Sequence, residues 1–355
     1  MKLRAPSFLQ SLPRRRGLVR IICFAAGAHV AMTGVVKAQS REVEDFYKSK
    51  PISFVVGFNP GGSADAYARV IGRHISRHIP GAPTITIRNM QGAGSLNAAN
   101  YIYNISPRDG SEIGLFAGHL TTDPLMGEGG YKYDAQKFGW IGSPAAAANV
   151  CISRKGSQFH SLNDVIKNEM VIGATGAAGN STFDLPTVIN NLLGAKFKLV
   201  KGYAGSAALN LAMERGEIEG FCGVGYDYLR VSNLAEGNSN IIVQVGLSKS
   251  AKMPNVPFLM DFAVTDYDRQ ILRFVFGWLN FERAIATPPG IPQARFEALR
   301  DAFELTMSDP LFLEDAQRAQ LDIEPMKGAD IAKFLAEAHQ TSLSVRQTAA
   351  KYLGR

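Results

Sequence analysis

Residues 51–79 read PISFVVGFNPGGSADAYARVIGRHISRHI, and residues 84–103 read TITIRNMQGAGSLNAANYIY. In each, a short apolar run stops at a glycine turn and gives way to a helical pattern. In the first, Tyr67, Val70, Ile71, Ile75 and Ile79 fall on one stripe of period near 3.6. The unit is strand, tight glycine turn, helix. A turn at PRDG (residues 107–110) and a third strand, EIGLFAG (residues 112–118), come next. Strands alternating with helices predict a mostly parallel, doubly wound α/β sheet.

Beyond residue 141 the same unit is built a second time. Strands are expected at VCIS (150–153), EMVIGAT (169–175), KFKLVKGY (196–203), IEGFCG (218–223) and IIVQVGLS (241–248). Helices are expected at 162–168 and, each opening on a glycine turn, within GAAGNSTFDLPTVINNLL (176–193) and AGSAALNLAMERG (204–216). From Met253 the chain is richer in proline and ends in helical segments at 293–308, 310–319 and 328–353. Residues 39–50 read as a mobile lead into the first strand.

A length of 355 residues suggests about two domains. With 46% hydrophobic residues, 19% charged and 35 glycines, collagen, coiled coil and polytopic membrane protein are excluded. The net charge of +7 is local: residues 1–38 hold Lys2, Arg4, Arg14, Arg15, Arg16, Arg20 and Lys37 and no acid. Removing those seven of the 38 cations leaves 31 against 31 acids, so the body of the chain is neutral and gives no support for nucleic-acid binding. A basic stretch ending at Arg20, an apolar run over 21–36 and the small residues Val36 and Ala38 read as an export signal cleaved after Ala38, which places the mature chain in the periplasm. That run is about 16 residues, short of the ~20 that a bilayer core needs. Arg15 and Arg16 also resemble a twin-arginine signal, with general secretion the alternative. Cys23 follows Ile22 rather than a small residue, so no lipid anchor is expected.

Two cysteines, Cys151 and Cys222, remain in an oxidising compartment, and each sits in an apolar, strand-like stretch. Two buried small hydrophobes is the favoured reading, with a disulfide left open. His74 and His78 are four apart on a helix without an acidic or histidine partner at zinc spacing, so a solvated helix face is expected and no metal.

Chemistry concentrates at the glycine turns. A helix that opens directly after a strand presents unpaired N–H groups and the positive end of its dipole, and glycine lets a ligand approach that backbone closely. This occurs at Gly61 and Gly62, at Gly92 and Gly94, at Gly176 and Gly179, and at Gly205 with Ser206. Such turns also serve any doubly wound domain, but four together favour an anion-binding cleft. No cofactor is expected: GAGSLN has Asn97 where a dinucleotide fingerprint needs its third glycine, and no G-x-S-x-G elbow exists. Asp65, in a first helical turn, is either a general base or, more commonly, a partner of the turn and the helix dipole.

FVVGFNPGGSADAYARVIGRHI followed by RNMQGAGSLNAANYIYNISPRDGSEIGLF resembles the opening of the Bug-type solute receptors, the extracytoplasmic binding proteins of tripartite tricarboxylate transporters. YDAQKFGWIGS, KGYAGSAALNLAMERGEIEG, SKSAKMPNVPFLMDFA and ATPPGIP extend the likeness over nearly all of residues 51–335. The resemblance implies a type II periplasmic-binding-protein fold, two doubly wound α/β domains around a central cleft. The expected crossings near residues 146 and 247 give domain 1 as 39–146 plus 248–355 and domain 2 as 147–247. It further implies a monomeric receptor, not an enzyme, that captures a small organic carboxylate and delivers it to the membrane components of such a transporter. The residues carried over for one carboxylate are Phe58, Gly61, Gly62, Ser63 and Asp65 with Gly92, Ala93 and Gly94. Thr175, Gly176, Gly179, Ser181 and Thr182, with Tyr203, Gly205 and Ser206, would close on the other end.

The pattern departs from the family at Ser95, Leu96 and Asn97, at GAAGNST, and at Cys222 and Gly223, where Phe-Asp is usual. The cleft shows no obvious arginine clamp. Its hydroxyl-rich second half (Ser181, Thr182, Ser206) suits a ligand with one carboxylate and an uncharged or aromatic end as readily as a dicarboxylate. The alternative function is an exported enzyme acting on a small carboxylate with Asp65 as general base.

Overall fold

The computed structural model describes residues 41–355 other than 128, 147, 177–179 and 236; the expected export segment, residues 1–38, and Gly179 lie outside the described residues. The first part of the chain runs through α1 (41–49), β1 (Ile52–Val56), α2 (Ser63–Ile75), β2 (Ile85–Asn89), α3 (Leu96–Asn104), β3 (Glu112–Ala117) and β4 (Gly139–Ser143). The middle part follows as β5 (Asn149–Arg154), α4 (Leu162–Lys167), β6 (Met170–Ala174), α5 (Ser181–Leu193), β7 (Phe197–Lys201), α6 (Ser206–Glu214), β8 (Gly220–Gly225), α7 (Tyr226–Val231) and β9 (Ser239–Val245). The last comprises α8 (Asp266–Phe276), β10 (Arg283–Thr287), α9 (Gln293–Met307), α10 (Pro310–Arg318), β11 (Met326–Lys327), α11 (Gly328–Gln340) and α12 (Leu343–Tyr352).

Two sheets result, one ordered β11-β4-β10-β3-β1-β2 and the other β7-β6-β8-β5-β9. The chain leaves the first sheet after β4 and returns to it at β10, giving the two-domain α/β architecture of periplasmic binding proteins. Each sheet is wound in parallel only along one edge, β2-β1-β3 in one and β7-β6-β8 in the other. β10 runs antiparallel to β3 and β4, and β5 antiparallel to β8 and β9, so the sheets are mixed and not mostly parallel. β5 and β10 are the strands on which the chain arrives from the other sheet, and no helical crossover within their own sheet sets their direction.

β1 is apolar without alternation because both its faces are covered: Ile52, Phe54, Val55 and Val56 are all fully buried. The stripe predicted on α2 packs inward through Tyr67, Val70, Ile71 and Ile75. At roughly 1.5–3 kcal/mol for each large side chain removed from water, these two elements alone anchor the first turn firmly.

Several expectations are corrected. The supposed mobile lead forms α1, whose Val43 and Tyr47 are buried, with the Tyr47 hydroxyl donating to the Gly110 carbonyl at 3.0 Å. The last helical segment is two helices, because the Ser342 hydroxyl accepts from the Val345 N–H and starts α12 afresh. His74 and His78 do not form a solvated face; their Nε2 atoms lie 2.8 and 2.7 Å from carboxylate oxygens of Asp315 and Asp309 and tie α2 and the turn after it to α10. Cys151 and Cys222 oppose each other on β5 and β8 and form a disulfide.

Candidate functional site

The loop after β1 is built to present backbone. Gly61 sits at φ +77°, a conformation that favours glycine, and Gly62 in extended geometry opens α2 without a side-chain cap. Asp65 lies beneath it, buried, with Oδ2 accepting from the Gly61 N–H at 2.9 Å and from Arg69 Nε at 2.7 Å. Its Oδ1 accepts from Asn89 Nδ2 at 2.9 Å, and the same Nδ2 reaches the Phe58 carbonyl at 3.0 Å. Burial alone would push this carboxyl up, yet the hydrogen bonds from Arg69, Gly61 and Asn89 together hold it below its ordinary value. Asp65 therefore shapes the turn from below, with its oxygens already taken.

The second turn is tighter. Gly92, Ala93, Gly94 and Ser95 all have positive φ, and the buried Ser95 hydroxyl accepts from the Ala117 N–H at 2.8 Å. Gly57 must stay small because a Cβ there would come within 2.4 Å of the Ser95 Cβ. Strain at two non-glycine positions is thus held in place by the end of β3.

A cavity of about 420 Å³ opens over these turns, lined by Phe58, Asn59, Gly62, Ser63, Ala64, Gly94, Ala117, His119, Trp278, Glu282 and Arg283 from the first sheet's side and by Asn180, Ser181 and Asp184 from the second's. The start of α5 is organised by its own polar side chains. Asn180 Oδ1 accepts from the Thr182 N–H at 3.0 Å, the Thr182 hydroxyl accepts from the Thr175 N–H at 2.9 Å, and the Ser181 hydroxyl donates to the Gly223 carbonyl at 3.0 Å. A neighbouring cavity of about 370 Å³ shares Gly62, Ser63, Glu282 and Arg283, and adds Gly61, Asn149, Ser206, Gly223 and Asp227.

Of the residues singled out from sequence, Phe58, Gly62, Ser63, Gly94 and Ser181 line the first cavity, and Gly61 and Ser206 the second. Asp65, Gly92, Ala93, Thr175, Gly176, Thr182, Tyr203 and Gly205 line neither, and several of them frame the turns from behind.

The sequence reading missed the charged members. Arg283, at the start of β10, is a largely enclosed guanidinium, its side chain 11% exposed, in a cleft whose sequence showed no obvious arginine clamp. Its Nη2 donates to the Ser63 hydroxyl at 2.9 Å, its Nη1 to Glu282 at 3.1 Å, and Asp227 lies 3.8 Å away. It also stacks 4.5 Å above the Tyr67 ring. Burial works against its charge, but Glu282, Tyr67 and Asp227 outweigh burial, and its pKa is raised. At the far wall His119 Nδ1 lies 3.0 Å from the buried Asp123 and packs edge-on against Trp278. Arg355 joins Asp123 at 3.0 Å to Asp184 at 3.4 Å. Burial pushes Asp123 up, and the hydrogen bond and charge of His119 together with Arg355 leave it below its ordinary value. No signal in the local sequence marks these residues; TTDP (121–124) and FER (281–283) are ordinary spellings. Among the described residues no cluster of His, Cys, Asp and Glu could hold a metal, and no helix is long and apolar enough to cross a membrane.

No family model matches the chain. It is 24% identical over 295 residues to the UPF0065 protein of the TAR-I ttuE-ttuC′ intergenic region of Agrobacterium vitis, covering 80% of this chain and 79% of the relative. It is 24% identical over 327 residues to the UPF0065 protein of the gbd 5′ region of Cupriavidus necator, covering 87% and 90%. Among solved structures, a TctC solute-binding protein from Polaromonas superposes with a TM-score of 0.66 at 19% identity, over 87% of this chain and 99% of that one. The periplasmic binding protein BugD gives 0.57 at 19% identity, over 86% and 96%. MatC from Rhodopseudomonas palustris, solved with bound malate, gives 0.59 at 17% identity, over 85% and 99%. The resemblance to the Bug-type solute receptors of tripartite tricarboxylate transporters is therefore met in sequence by UPF0065 proteins along most of the chain and in fold by TctC and BugD.

Proposed function

We propose that this chain is an exported solute receptor that captures a small carboxylate-bearing compound in the periplasm and hands it to the membrane components of a tripartite tricarboxylate-type transporter. The observation that carries the reading is the cavity of about 420 Å³ lined from both sheets, with helix starts at Ser63 and Ser181 on opposite walls. Unpaired N–H groups at a helix start favour an anion, and a cavity of this size takes a small organic acid. Relatives solved with malate and with adipate bind ligands of that kind. On this reading residues 39–146 with 248–355 form one lobe and residues 147–247 the other, and the ligand favours closure through contacts that only the shut cleft offers. The export signal ends at Ala38 and the mature chain begins at Gln39. The reading needs no chemical step, since the carboxylate of Asp65 is engaged by the turn it supports.

Melting-temperature shifts across a panel of mono- and dicarboxylates, with mass spectrometry of the compound recovered afterwards, test the proposal. A receptor gives a saturable upward shift with at least one acid and returns it unchanged. No shift across the panel, or a converted compound, overturns it.

A further inference from the structure

The imidazole of His119 is fixed on one side and open on the other. The residue follows the end of β3 by two positions and lines the cavity of about 420 Å³. Its Nδ1 lies 3.0 Å from Asp123 Oδ2, and Trp278 packs edge-on against the ring, centroid to centroid 5.6 Å. An ionised carboxylate can only accept, so Nδ1 carries the hydrogen and Nε2 is left for the cavity. Nε2 makes no hydrogen bond among the described residues and lies beside the second turn: a Cβ built on Gly94, which lines the same cavity, would be 3.8 Å from it.

The surrounding charges give this nitrogen a task. Arg283 is in contact with Glu282 and Asp227, at 3.1 and 3.8 Å, and Arg355 with Asp123 and Asp184, at 3.0 and 3.4 Å. Each guanidinium is already matched by two acids. A carboxylate held at the first-lobe turns therefore meets backbone N–H groups, two lining acids, Glu282 and Asp184, and no unmatched fixed cation. His119 is the lining residue that can supply one, because an imidazole changes charge between about pH 5 and 8. Neutral, its Nε2 is an acceptor and repels a carboxylate; protonated, the same atom donates to it.

The groups that hold the ring do not titrate in that range. The Tyr131 hydroxyl, which donates to Asp123 Oδ2 at 3.3 Å, is pushed up to about 12 by burial, and burial pushes the neighbouring Tyr133 up as well. Asp123 stays below its ordinary value, and Arg355 already balances it. That acid thus fixes the tautomer and leaves the charge of the ring to what enters the cleft, where Glu282, Arg283 and Asp184 face it.

We propose that His119 is a ligand-binding residue, which takes a proton from solvent as a carboxylate enters and donates from Nε2 to one of its oxygens beside the Gly94 turn. The inference rests on the receptor reading and adds to it that the anion is captured together with a proton.

Titration calorimetry with malate, adipate, hexanoate and benzoate, run from pH 6.0 to 8.5 in buffers of different ionisation heat, reads both the affinity and the protons exchanged. The tightest of the four acids is expected to bind at least about threefold more strongly at pH 6.0 than at pH 8.5, with uptake of at least about 0.3 proton within that range. In His119→Gln, whose amide is a donor at every pH, the uptake should vanish and the affinity should change by less than about 1.5-fold over the same range. His119→Asn gives the same reading should the glutamine variant fold poorly. A histidine that only packed against Trp278 would leave proton exchange unmoved by either substitution. Affinity that is independent of pH or rises with it, or an uptake that survives both substitutions, overturns the role of His119 while leaving the receptor reading intact. With no signal from these four, the acid of the wider panel with the largest melting shift replaces them; failure of every acid overturns both.

Discussion

Replacing Asp65 by asparagine isolates the role of the carboxylate under the first turn. In the wild type three donors converge on it: the Gly61 N–H at 2.9 Å, Arg69 Nε at 2.7 Å and Asn89 Nδ2 at 2.9 Å. An asparagine amide offers one acceptor oxygen in place of two. Turned toward Gly61 and Arg69, that oxygen leaves its NH2 facing Asn89, which keeps only the Phe58 carbonyl at 3.0 Å. The opposite orientation strands the Gly61 N–H and is worse. The change thus deletes one buried hydrogen bond and removes the acceptor's charge from two others, of which the bond to the half-exposed Arg69 contributes little. The net cost is about 2 kcal/mol. At roughly 2 °C per kcal/mol for a chain of this size, calorimetry should show a melting temperature lower by about 4 °C. Affinity for the best carboxylate of the panel should fall about three- to tenfold, since Asp65 does not line the cavity and acts only through the order of the turn. An unchanged melting temperature would refute this account of the turn. Normal binding with lost turnover of the bound compound would instead revive Asp65 as a general base.

Gly62→Val should weaken carboxylate binding more than tenfold with a melting temperature within about 2 °C of wild type, because Gly62 has φ −78° and a Cβ there meets only the Asn59 carbonyl, at 3.4 Å; a large loss of stability would show that the turn itself, and not access to it, had been damaged. Cys151 and Cys222 are 71 residues apart, so reducing their disulfide should cost about 4 kcal/mol in a denaturant titration, and an unmoved midpoint under reductant would contradict that contribution. Asp123 has a folded-state pKa below its unfolded value of about 3.9, so its stabilisation is complete above that pH and is lost as pH falls through the folded value. The melting-temperature gap between wild type and Asp123→Asn should therefore be constant from pH 5 to 7 and begin to close only below about pH 4; a gap that widens in acid would reverse the sign.

Much of the fold was legible in the sequence because the repeating unit is local. A run such as ISFVV must be a strand buried on both faces, the stripe from Tyr67 to Ile75 must pack inward, and positive φ at Gly61, Gly92 and Gly205 demands the residues found there. The elements missed were those whose signal is non-local. β4 (GWIGS), β10 (RAIAT) and the two-residue β11 are short and carry few apolar side chains, and they become strands only because neighbours in the sheet pair with them. α1 hid behind charged residues, although Val43 and Tyr47 already marked an inward face.

For the site, the sequence by itself determined where backbone would be presented: the turns at Gly61, Gly62 and Gly94, and the helix starts at Ser181 and Ser206. Glycine conformation and helix-end geometry are settled within a few residues, and those are distances a reading of spacing can cross. Only the tertiary structure decided which charges face that backbone. Arg283 meets Ser63 across 220 residues of chain, and Arg355 meets Asp184 across 171. Such meetings are fixed by how one sheet returns beside another, and no local period or motif encodes them.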